Sequence, residues 1–107
     1  MVASTGPTAS KHSHVLGTYI LMEGVEINGH PVWRHLDNGD KYVYKSSNQK
    51  WKIGPDYNDT KCWIHSVETQ STVPVSNWKY LDGSDEDKEW KLDLQLKVIS
   101  SRKAALF

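Results

Sequence analysis

The chain has 107 residues, 37% hydrophobic and 24% charged, the composition of one globular domain with room for a two-layer core but not for two separate cores. Thirteen basic and thirteen acidic residues cancel to a net charge of zero, which argues against nucleic-acid binding through bulk charge. The single cysteine, Cys62, excludes an internal disulfide, and a small domain without such staples is expected in a reducing compartment, here the cytoplasm.

Residues 1–14 are rich in Ser, Thr and Ala, with Gly6-Pro7 and one large aliphatic, Val2. They read as a disordered tail or leader, so that structure starts at Val15 and a single β-domain covers residues 15–99. They lack the basic start and apolar centre of a signal peptide, and no stretch approaches the roughly 18 apolar residues of a membrane span. Strands follow in order. Tyr19, Leu21, Glu23, Val25 and Ile27 alternate with Ile20, Met22, Gly24 and Glu26, and further runs cover 31–36, 41–45, 50–53 and 61–67. Val73-Pro74-Val75 is an edge piece or a connection, because proline cannot donate to a ladder. After a short strand at 78–81, Trp90, Leu92, Leu94, Leu96 and Val98 recur at a spacing of two, which places them on one face of a long strand. Residues 100–107 read as a C-terminal tail.

Three turn signals set an expected register: Asn28-Gly29, Asp37-Asn38-Gly39-Asp40 and Ser46-Ser47-Asn48-Gln49. Asn-Gly pairs favour two-residue type I′ turns. Counting outward from them puts Gly24, Trp33, Tyr44 and Trp51 in one row and Met22, His35, Tyr42 and Ile53 in the next. This aromatic face is the expected core, covered by the strand at 90–98. The opposite face then carries Glu23, Arg34, Val43 and Lys52, with Val25, Val32, Lys45 and Lys50, and Leu36 against Lys41. A slip of one residue would exchange the faces. The fold class is all-β: an antiparallel meander forming a small sandwich or partly open barrel.

The string Asn28-Gly29-His30-Pro31-Val32-Trp33-Arg34, then Tyr42-Val43-Tyr44, Trp51-Lys52-Ile53-Gly54-Pro55, Trp78 and Trp90 resembles a small aromatic-rich module, "NG-x-P-V-Y/W … Y-x-Y … W-x-I-G-P", of protist and some animal proteins. The likeness spans roughly residues 17 to 99 and its motifs are turns and core aromatics. It implies a β-fold with a binding or scaffolding role, and no catalytic residues.

Chemistry-bearing residues are scattered. His12, His14, His30, His35 and His65 lack the converging three or four ligands of a zinc site. Cys62 sits mid-strand without a setting to stabilise a thiolate and reads as a small buried hydrophobe. No triad, elbow or phosphate loop is present, so no enzyme activity, metal or cofactor is expected. The acidic run 82–87 reads as a solvated loop, with weak calcium binding or phosphorylation of Ser84 as its functional readings, and Asn58-Asp59-Thr60 reads as a chance sequon. That leaves the second sheet face, where Arg34, Lys41, Lys45, Lys50 and Lys52 gather. Its plain reading is a solvated, lysine-studded surface that discourages edge pairing. Its functional reading is a basic patch with aromatics such as Trp63 and Trp78 at its rim, for an acidic peptide or protein, a nucleic acid or an anionic polysaccharide. The expectation carried forward is a non-catalytic interaction module, with a carbohydrate-binding β-domain second and nucleic acid disfavoured.

Overall fold

The computed structural model describes residues 1–37, 39–55, 62–82 and 89–99. The chain forms the expected all-β antiparallel meander. In order its elements are β1 (Val2–Ala3), helix α1 (Pro7–Lys11), a 3₁₀ turn (Ser13–Val15), β2 (Tyr19–Ile27), β3 (His30–His35), β4 (Tyr42–Lys45), β5 (Trp51–Gly54), β6 (Ile64–Ser66), β7 (Trp78–Asp82), β8 (Glu89–Asp93) and β9 (Lys97–Val98). Strands β2 to β8 make one seven-stranded sheet in sequence order, with β2 and β8 at its two open ends. Strands β1 and β9 make a separate pair. The core lies between these layers: Val2, Val15, Leu96 and Val98 close over Tyr19, Trp33, Val43, Trp51, Ile53, Ile64, Trp78 and Tyr80.

The turn signals mark the right places, but each turn differs in detail. Asn28 and Gly29 have φ of 55° and 77°, as a type I′ turn requires, and pair Ile27 with His30 and Glu26 with Pro31. The register then jumps between Leu21 and Glu26, so that Leu21, not Gly24, pairs with Trp33. A bulge absorbs the extra residues around Gly24, whose φ of 77° suits a residue without a Cβ. Between β3 and β4 the His35 N–H reaches the Lys41 carbonyl at 2.9 Å and Trp33 pairs with Val43. The connection is therefore residues 36–40 and not a two-residue turn; Asn38 itself lies outside the described residues. Between β4 and β5 the Gln49 N–H bonds the Ser46 carbonyl at 3.0 Å and Gln49 has φ of 72°. This is a three-residue loop with a bulge, and it pairs Lys45 with Trp51 and Val43 with Ile53.

Two one-residue slips therefore occur in succession and cancel. Trp33, His35, Trp51 and Ile53 stay together on the core face as expected, while β4 between them is inverted. Val43 turns inward and Tyr42 and Tyr44 turn outward, with Lys41 and Lys45 on the inner side.

Two further expectations are corrected. The pattern Trp90 to Val98 is not one strand: Asp93 is buried and its Oδ1 accepts the Gln95 N–H at 2.9 Å, an Asx turn that stops β8. Leu92 and Leu94 are exposed, while Leu96 and Val98 return to the core in and beside β9. The segment 1–14, read as a disordered tail, carries β1, α1 and the 3₁₀ turn, with Val2 paired to Val98 and both buried. Thr8 N–H and Ser4 Oγ donate to Asp93 Oδ2 at 3.0 and 2.8 Å. The C-terminal tail 100–107, the acidic run from residue 83 on and the Asn58 sequon lie outside the described residues. Val73-Pro74-Val75 is a connection, as read, with the Val75 carbonyl accepting from Val98 at 2.8 Å.

Candidate functional site

Inversion of β4 splits the expected basic patch. Lys45 is 3% exposed and donates from Nζ to the carbonyls of Thr69 and Gln70, each at 3.0 Å, with its ammonium 5.8 Å from the centre of the Trp51 ring. Trp51 Nε1 donates to the same Gln70 carbonyl at 2.9 Å. Together they pin the 67–77 loop to the end of β4 and the start of β5. Lys41 is 5% exposed, its Nζ 3.4 Å from Asp40 Oδ1. Both lysines are buried against acceptors of the protein itself, so neither presents its ammonium on the outer sheet face.

Trp78 is likewise corrected. It is fully buried and its Nε1 donates to the Pro74 carbonyl at 3.0 Å, so it is a core residue. Trp63 is half-buried, packs against the core and meets the His14 ring edge-on at 4.5 Å between centroids. A bend at Trp63 before β6 separates it from His65, although regular alternation would have put them on one face. His35 is buried against Tyr19, ring centroids 4.9 Å apart. Its Nδ1 accepts the Asp37 N–H at 3.1 Å, so Nε2 carries the proton it donates to the Leu16 carbonyl at 2.8 Å.

What remains of the patch joins residues that sequence reasoning passed over. Arg34 is exposed, and Lys50 and Lys52 are half-buried. On the outer sheet face the register runs Tyr44, Lys52, His65, Lys79, Leu92 as one continuous row across β4 to β8. Trp90 lies beside it, its ring 4.4 Å from that of His65. Tyr44 is buried, so the accessible part of the row lies toward β5–β8. The outward positions of β4 to β8 among the described residues are Tyr42, Tyr44, Lys52, Gly54, His65, Lys79, Leu81, Trp90 and Leu92; none is acidic. His65 is held below its ordinary value by burial, against the pull of the Ser66 carbonyl that accepts from Nδ1 at 2.9 Å, and further by Lys50, Lys79 and Lys52.

Lys79 was legible as outward-facing, since it alternates with the core residues Trp78 and Tyr80. Placing it beside His65 and Lys52 needed the pairing of β5, β6 and β7, which no local signal specifies. Among the described residues no three or more His, Cys, Asp or Glu side chains form a metal-holding cluster, and no helix is long and apolar enough to cross a membrane. No protein-family model, curated protein or solved structure matches the chain.

Proposed function

We propose that the chain is a non-catalytic interaction module that binds an acidic protein segment on the outer face of β5 to β8. The observation that carries this reading is the row Lys52–His65–Lys79, which lines up cationic and aromatic-capped positions on three adjacent strands with no outward acid among the described residues of β4 to β8. Two lysines of like charge flanking His65 on a half-buried sheet face steer and orient an oppositely charged partner. Trp33, Trp51 and Trp78 are buried, which leaves only the half-buried Trp63 and Trp90 among the tryptophans to stack on a sugar ring and favours protein over carbohydrate. The single cysteine supports a cytoplasmic setting.

The test is a titration followed by NMR with a hexaglutamate peptide, and separately with a neutral glucose hexamer. The wild-type chain is expected to bind the peptide, with its largest shifts at Lys52, His65 and Lys79. Lys52→Glu with Lys79→Glu is expected to weaken binding by a factor of 10 or more, about 1.4 kcal/mol or above. Equal binding by the doubly reversed protein, or preference for the sugar, sinks the proposal.

A further inference from the structure

The cationic row ends in apolar surface. Leu92 is 43% exposed, Val67 45% and Leu94 67%, and Trp90 is half-buried next to His65. Leu92 pairs directly with Lys79. Val67 follows Ser66, its N–H bonding the Asn77 carbonyl at 2.9 Å, and so extends the β6–β7 ladder one rung past the Ser66–Trp78 pair, two residues from His65 and on its side. Scattered surface leucines need no explanation, but here aliphatic and indole surface adjoins one end of a charged row.

We propose that this face reads an amphipathic extended segment: one apolar residue seated on Trp90 and Leu92, with carboxylates two and four residues away. The proposal rests on the acidic-partner reading and specifies the segment's pattern. Strand spacing of about 4.8 Å puts Lys79, His65 and Lys52 at about 5, 10 and 14 Å from Leu92 along the row. An extended segment crossing the strands presents every second side chain to the face, at about 6.8 Å intervals. Its first same-side carboxylate then falls between Lys79 and His65, and its second at Lys52. A second copy of this chain is a poor occupant, because a two-fold interface on this row would set Lys52 and Lys79 against a second set of lysines. An acidic partner matches the charge.

Three blocked peptides test it by NMR titration: Leu-Ser-Glu-Ser-Glu, Ser-Ser-Glu-Ser-Glu and Leu-Glu-Ser-Ser-Glu. The first is expected to bind about 5-fold tighter than the second, from partial burial of one leucine, and tighter than the third, whose first carboxylate points away. Leu92→Ser should remove most of the advantage of the first peptide over the second while leaving binding of the second unchanged. The peptide series leaves the protein untouched, so the outcome does not hang on the variant folding. Equal binding of the first two peptides overturns the amphipathic pattern and leaves the acidic reading standing. No binding of any peptide, hexaglutamate included, overturns both. Peptide-free dimerisation that Leu92→Ser abolishes assigns the face to a second copy and likewise overturns the proposal.

Discussion

A lysine counts toward a charged face only while its ammonium meets water or a partner. Lys45 and Lys41 are buried against acceptors of the protein itself while Lys52 and Lys79 are only half-buried, although nothing in their immediate sequence surroundings separates them. Charge reversal at Lys45 would therefore report on folding, since its Nζ holds the Thr69 and Gln70 carbonyls. His65 shows the same dependence on surroundings in its titration. Burial and three neighbouring lysines hold its folded value below the ordinary 6.5, so the unfolded chain takes up the proton first. Its stability contribution is complete above about pH 6.5 and is lost as the pH falls through that value toward the lower folded one. Urea unfolding at pH 7.5 and 5.5 should show the wild type losing more stability on acidification than His65→Gln, by up to about 1.4 kcal/mol per pH unit. Identical losses in the two proteins would remove His65 from the account.

Strands translate small errors in turns into whole-face errors, because side chains alternate with a period of two. Of the four strands from β2 to β5, β4 and the first half of β2 have their faces exchanged, since Tyr19 and Leu21 rather than Met22 and Gly24 pair with His35 and Trp33, and two successive slips restore β5. Half of the expected aromatic face therefore stands, in Trp33, His35, Trp51 and Ile53, while Tyr42, Tyr44, Met22 and Gly24 do not share it. At β8 the alternation of leucines was genuine but did not decide the fold. Asp93 overrode it, because its carboxylate accepts from Gln95, Thr8 and Ser4 and ties the end of β8 to the start of α1. Burial by itself would raise the Asp93 pKa, and hydrogen bonds from Thr8, Ser4 and Gln95 outweigh it, holding the carboxyl below its ordinary range. Gly6 belongs to the same knot, since a Cβ there would come within 2.5 Å of Asp93 Oδ1. Asp93→Ala leaves these donors without their acceptor and should cost about 2–4 kcal/mol in urea unfolding. Asp93→Asn, which keeps an acceptor oxygen, should recover part of it. A loss below 0.5 kcal/mol for Ala, on the order of an ordinary surface change, would show that the turn does not depend on this carboxylate.

Across the whole molecule the inner face of the seven-stranded sheet needs a lid, and residues 1–16 together with β9 supply it. Val2 and Val15 are buried in the core, Val2 N–H bonds the Gly17 carbonyl at 2.7 Å, and the Met1 ammonium reaches the Ile99 carbonyl at 3.1 Å. Deleting residues 1–11 uncovers the core and strips Asp93 of two partners. The expected loss is about 3–6 kcal/mol from apolar burial and unmet hydrogen bonds together, a large part of the 5–15 kcal/mol typical of a domain. Thermal unfolding with an unchanged midpoint in the truncated protein would disprove the lid.

The sequence by itself determined the all-β class, the places of the three hairpin turns and the shared face of Trp33, Trp51 and Ile53. These follow from local chemistry: Asn-Gly geometry, the two-residue period and the burial of large rings. Tertiary structure alone decided the inversion of β4, the end of β8, the ordering of the first residues and the row that runs from Lys52 to Leu92. Each depends on contacts between residues distant in the chain, such as Asp93 with Ser4 and Thr8, and on register accumulated over five strands. Local signals carry no information about such pairings, because the energy that selects them exists only once the layers meet.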